Sequence, residues 1–236
     1  DKNGEFVIPV KYDYAFDFNH GLARVEQNGE FGFINTDGDM VIRPDFDYVM
    51  DFRYGLAKVY VDDEIKYIDK NGDIKYDEIF DFHEELAKVR IGEKFGFMDN
   101  SGELIIPAYF DRAKPFSGGL AAISIKGKWG YINKEGDTLI APQFDNAYTF
   151  REGVARIRNR GKYMFINQNG FVIIEGYKNT HDLKGEGGIE YFTDAGDFSN
   201  GLARVQIEDL YGYIDKSGNM VIKPQFKDAG DFVGNL

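Results

Sequence analysis

The chain has 236 residues, no cysteine and a formal net charge of −12. Without cysteine there is no disulfide, thiolate nucleophile or cysteine-ligated zinc, and an anionic surface disfavours nucleic acid and anionic membranes, which both need cationic partners. Hydrophobic residues make up 43%, enough for a core, and no apolar run is long enough to cross a bilayer as a helix.

The chain starts at Asp1-Lys2-Asn3-Gly4, without Met or an apolar leader, and reads as a mature chain or an excised piece of a longer array. Its first landmark is an aromatic pair six residues apart, Tyr12 and Phe18. Next, Gly21-Leu22-Ala23 opens a short strand pattern that runs to Glu26. Asn28-Gly29 follows, a hairpin signal because both residues accept positive φ. A second strand, Phe31–Asn35, runs into Asn35-Thr36-Asp37-Gly38, where Asx first and Gly fourth predict a type I turn closed by a left-handed glycine. Met40-Val41-Ile42 is a third strand that Pro44 ends, and Phe46 and Phe52 repeat the aromatic pair.

This pattern recurs. The opening turn returns at Gly55, Glu85, Gly119, Gly153 and Gly201, in steps of 34, 30, 34, 34 and 48 residues. Eleven residues after each opening stand Gly32, Lys66, Gly96, Gly130, Met164 and Gly212. Six further on stand Gly38, Gly72, Gly102, Gly136, Gly170 and Gly218. A period near 34 means a repeat architecture in which each repeat needs its neighbours to bury an apolar face. The expected fold is all-β: tandem antiparallel hairpins and meanders in one array over 1–236, with partial repeats at both ends. An open, solenoid-like superhelix is the first expectation and a β-propeller the alternative. The paired aromatics are expected in the core. The turn at Asp62-Asp63, which lacks Gly, is expected to be looser than the others.

Two further positions vary together. A base stands three residues after most openings (Arg24, Lys58, Lys88, Arg156, Arg204), and an acid precedes most of the second aromatics (Asp17, Asp51, Asp81, Asp197, Asp231). The loop Asn19–Leu22 predicts cross-strand ion pairs Asp17–Arg24, Asp51–Lys58, Asp81–Lys88 and Asp197–Arg204, leaving Arg156 opposite Thr149 and unpaired.

Lys128-Trp129-Gly130-Tyr131-Ile132-Asn133, Ile140-Ala141-Pro142-Gln143-Phe144-Asp145 and Gly153-Val154-Ala155 together resemble the WG-repeat (KWG) family. The resemblance covers essentially the whole chain, although Lys66 and Met164 have lost the motif glycine. It implies a bacterial, often exported or surface-associated module that serves as an interaction platform, and it carries no catalytic residues.

No catalytic, cofactor or metal site is expected. His20, His83 and His181 have neither ligand nor nucleophile–base spacing. The long last step places an insertion at about 175–188, and insertions in repeat arrays map to one face. Its Tyr177, Lys178, His181 and Asp182 are the candidate binding residues. The expected function is a non-enzymatic scaffold for a protein partner. The alternative is a carbohydrate or cell-envelope binding module, which would need exposed aromatic platforms.

Overall fold

In the computed structural model, the structure describes residues 6, 8, 10–178 and 188–232, the side chain of Lys178 excepted. Every element among them is a β-strand, and every printed pairing is antiparallel. The all-β tandem organisation read from the sequence is borne out. Each repeat supplies a four-stranded meander in chain order, starting with Tyr14–Ala15, Leu22–Gln27, Glu30–Asn35 and Met40–Phe46. Equivalent sheets span 48–76, 78–110, 112–144, 146–174 and 194–226, and a two-stranded pair joins Tyr177–Lys178 to Ile189–Glu190. The chain divides into two compact units, residues up to Asp81 with Ala87–Tyr109, and Phe82–Leu86 with Phe110 onward.

The turns follow local chemistry. Asn28 and Gly29 sit at φ 56° and 86°, as a type I′ hairpin requires. Asp62 and Asp63 adopt the same geometry, at 51° and 62°, and the flanking Val61–Glu64 pair is formed. The expected looser turn is therefore corrected: two short Asx residues tolerate the left-handed region well enough for the strands to impose it. At the second turn, Asn35 Oδ1 accepts the N–H groups of Asp37 and Asp39 at 3.0 and 2.8 Å, and Gly38 takes φ 85°.

The core lies between successive sheets. In the first compact unit, Leu22, Phe33 and Ile42 of one sheet pack on Val49, Phe52, Ala57, Val59 and Ile68 of the next. In the second, Tyr131 and Ile140 meet Phe150, Ala155 and Ile157, and Phe165 and Ile174 meet Phe198, Ala203 and Val205. The second aromatic of each pair stacks edge-on against the third strand of the preceding sheet. Ring centroids are 4.9 Å apart for Phe33–Phe52, 5.0 Å for Tyr131–Phe150 and 5.1 Å for Phe165–Phe198. Phe18, Phe82 and Phe226 depart from the expected burial and are exposed.

The ion pairs run between repeats rather than within them. Arg24 Nε lies 2.7 Å from Asp51 Oδ1, Arg156 Nε 2.9 Å from Asp197 Oδ1 and Arg204 Nε 3.2 Å from Asp231 Oδ1. The contact at Arg24 is an ion pair whose angle does not make a hydrogen bond at Nε, while its Nη1 donates to the Val49 carbonyl at 3.2 Å. Arg156 Nη1 likewise donates to the Ala195 carbonyl.

This overturns the expected Asp17–Arg24, Asp51–Lys58 and Asp197–Arg204 pairs, and the expected isolation of Arg156. The reason is one extra residue beside the opening turn. Ala15 pairs with Val25, yet Asn19 pairs with Leu22, so the register slips by one between them. Phe16, not Asp17, then stands opposite Arg24, and the guanidinium lies 4.1 Å from its ring. Arg156 lies over Tyr148 in the same way, at 3.6 Å, and Lys88 over Phe80, at 3.8 Å. Where Ala122 replaces the base, Lys114 stands directly opposite and places its Nζ 4.0 Å over Tyr148, so the cation has crossed the strand pair.

The motif glycine has a steric cause. A Cβ on Gly32 or Gly96 would lie 2.5 Å from the Ile42 or Ile106 carbonyl oxygen of the fourth strand. The same fourth-strand carbonyl crowds Gly130 and Gly212. In these repeats the fourth strand has 7 residues: Met40–Phe46, Leu104–Phe110, Thr138–Phe144 and Met220–Phe226. Where Lys66 or Met164 replaces the glycine, it has 3 residues, Ile74–Tyr76 or Val172–Ile174. The glycine thus permits the bulged fourth strand to fold over the third.

Candidate functional site

Three features face solvent without a role in the core. The first is an aliphatic residue on the outer face of the fourth strand, three residues after the turn glycine. Val41, Ile105, Leu139, Ile173 and Val221 all stand there exposed, Leu139 by 54% and Val221 by 55%. Only the repeat with Lys75 departs from this. Strand alternation explains the placement, since the next residue, such as Ile42, Ile106 or Ile140, points inward and is buried. The recurrence of an apolar residue on a wet face has no packing cause.

The second feature is a cavity of about 740 Å³ beside the short fourth strand Val172–Ile174, lined also by Tyr177, Ile189, Asn219 and Lys223. Here Phe171, Val172 and Ile173 are exposed in succession. Tyr177, a candidate from the sequence, lines this cavity and also packs on the core cluster around Phe192 and Phe198. Lys178 pairs through its backbone with Ile189. His181 and Asp182 lie outside the described residues.

The third is a shallow cleft of about 610 Å³ formed by Tyr48, Tyr60, Asp47, Asp62 and Asp63. The two rings meet edge-on at 5.9 Å. The Asp62-Asp63 turn brings these acids together, and the sequence analysis did not single them out as a site.

Among the described residues no cluster of three His, Asp or Glu side chains could hold a metal ion. The polar network serves the turns instead. Asp77 Oδ2 accepts the Gly92 N–H at the hairpin tip at 2.6 Å, and Asp145 Oδ2 accepts that of Arg160 at 2.7 Å. Both carboxyls are held below their ordinary value, Asp77 chiefly by the hydrogen bond from Lys66 and Asp145 chiefly by that from Lys128. A carboxylate lowered in the fold stabilises it above the unfolded pKa of about 3.9, and that contribution fades as pH falls through the folded value. The melting temperature is therefore expected to hold from pH 7 to about 5 and to fall below about pH 4, less steeply in D145N.

At the alkaline end, burial pushes the Tyr76 hydroxyl up to about 12, and its neutral form donates to the Gly102 carbonyl at 2.9 Å. The fold then favours the neutral phenol, and its contribution declines as pH rises above about 10. Tyr131, buried, likewise donates to the Tyr148 carbonyl at 2.7 Å. Y131F is expected to lower stability by about 1 kcal/mol in urea unfolding.

Comparison with known proteins bears on this fold. The profile of the WG containing repeat matches residues 1–30, 31–64, 67–95, 95–129, 129–163, 189–211 and 211–236. The chain belongs to the WG-repeat family. Its match skips the insertion, and the spacing of the other WG repeats follows the steps read above. No curated protein matches the chain. Among solved structures it is similar to Hsv2p of Kluyveromyces lactis, at 13% identity and a TM-score of 0.40, covering 86% of this chain and 74% of that one. It is also similar to the extracellular domain of the putative one component system BT4673 of B. thetaiotaomicron, at 11% identity and a TM-score of 0.35, covering 90% of this chain and 36% of that one. At these TM-scores neither likeness carries a functional inference. The WG repeats and the β-rich fold support a binding or scaffold module in general.

Proposed function

We propose that this WG-repeat chain is a non-catalytic scaffold that binds a protein partner through the outer faces of its fourth strands. The observation that carries the reading is the exposed aliphatic residue at one position of successive repeats: Val41, Ile105, Leu139, Ile173 and Val221. Repeated apolar exposure without a packing cause marks an interaction surface. A photo-crosslinker placed at Leu139 is expected to capture one discrete protein from the source organism's extract, and the L139S/I173S/V221S variant is expected to lose that binding while keeping its melting temperature. Equal capture by the variant would contradict the reading.

A second reading, a carbohydrate module, rests on the Tyr48–Tyr60 cleft, where an exposed ring stands beside three carboxylates. Against it, most of the recurrent paired aromatics are buried. Glycan-array binding abolished by Y48A would favour this second reading over the first.

A further inference from the structure

Successive repeats interlock by a recurring pair of parts. The donor is a hairpin in which a base stands directly opposite an aromatic: Arg24 pairs in register with Phe33, Arg156 with Phe165 and Arg204 with Tyr213. The acceptor is an acid followed by an aromatic in the next repeat: Asp51-Phe52, Asp197-Phe198 and Asp231-Phe232. The base reaches the acid within 3.2 Å each time, and the donor ring meets the acceptor ring edge-on.

Asp17-Phe18 is an acceptor of the same form. Among the described residues no base lies in ion-pair range of Asp17, and Phe18 is 44% exposed where its equivalents Phe52, Phe150 and Phe198 are buried. Tyr14 and Phe16 beside it are exposed as well. A terminal repeat that ends an array presents a polar outer face, and this face is aromatic and acidic instead.

The register is also already set. Ile8 packs against Gly38, as Ile42 packs against Gly72 and Ile174 against Gly218. Residues 6–18 thus hold the place of a fourth strand and the following acceptor, and the complementary donor is the hairpin that would come before them.

We propose that the face formed by Asp17 and Phe18 is a docking surface for the base-aromatic hairpin of a further WG repeat tethered ahead of Phe6. Charge complementarity selects the occupant: an Arg or Lys for Asp17, and a facing Phe, Tyr or Trp for the Phe18 ring.

The test keeps residues 6–236 and replaces residues 1–5 with a copy of residues 201–219, which sets the copied Tyr213 at the spacing from Phe18 that Tyr213 has from Phe232. The graft is expected to raise the melting temperature by about 3 °C or more and to slow hydrogen exchange at residues 14–18. A matched graft carrying R204S and Y213S is expected to lose most of that rise. F18A is expected to shift the ungrafted chain by about 1 °C or less and to cancel the gain of the graft. Equal melting temperatures for the two grafts, with unchanged exchange at 14–18, would overturn the proposal. Concentration-dependent self-association of the ungrafted chain, abolished by F18A, would assign the face to a second copy and overturn the tethered occupant.

Discussion

Replacing Gly130 with alanine is expected to destabilise the chain by about 3 kcal/mol or more, although it adds a single methyl group. The methyl carbon would lie 2.7 Å from the Pro142 nitrogen and would also press on the Ile140 carbonyl oxygen. These are backbone atoms of the fourth strand, so no side chain can turn aside to make room. The strand must lift, which breaks the Trp129–Phe144 pairing and uncovers Phe144, a member of the central core cluster. The repeats with Lys66 and Met164 show what a chain without this glycine does: the fourth strand keeps only Ile74–Tyr76 or Val172–Ile174. Hydrogen exchange should therefore accelerate across Thr138–Phe144 in G130A. Gly127 is the control. It sits at φ 75° in an open turn with nothing near its Cβ position, so G127A is strained only by its backbone conformation, at about 1–2 kcal/mol. Equal urea midpoints for G130A and the unsubstituted chain would contradict the steric account.

Phe150→Ala is expected to cost about 3–5 kcal/mol. Phe150 is 2% exposed, stacks on Tyr131 at 5.0 Å and belongs to a cluster drawn from two sheets. Its removal leaves a cavity that the neighbouring strands cannot close, because both are held by their own ladders. It also strips Tyr131 of its edge-to-face partner. In a repeat array such a loss acts on one interface first, so exchange should rise in 112–174 before it rises elsewhere. An unchanged urea midpoint would mean that the aromatic is not a core anchor.

The parts of this fold that depend on neighbouring residues were legible in the sequence. Asn28-Gly29 and Asn35-Thr36-Asp37-Gly38 name their own turns, because backbone sterics and Asx hydrogen bonds act over a few residues. The period, and the burial of Phe52, Phe150 and Phe198, followed from repetition. Partner choice for the charges was not legible. One extra residue beside the opening turn moves Asp17 off Arg24, and no residue type announces that slip. Arg156 looked unpaired because its acid, Asp197, lies beyond the insertion in the next repeat.

The candidate site was legible only in part. Tyr177 was found through the insertion, but it is shared between a cavity and the core. The exposed row that includes Leu139 and Val221 was hidden in an ordinary strand pattern, Met40-Val41-Ile42 and its repeats, and only measured exposure separates the outer residue from its buried neighbour. The Tyr48–Tyr60 cleft combines two strands with a turn, so no single stretch of sequence displays it.

The central structural claim is that each repeat is clamped to the next through its base and the following acid. A double-mutant cycle on Asp197 tests it most directly, with D197N combined in turn with R156A and with R204A. The account predicts a coupling of about 1–2 kcal/mol between Asp197 and Arg156, where the ion pair is 2.9 Å and both side chains are mostly covered. It predicts a coupling near zero between Asp197 and Arg204, which pairs instead with Asp194 and Asp231. Strong coupling to Arg204 and none to Arg156 would mean that the charges pair within a repeat, and the clamp between repeats would be wrong.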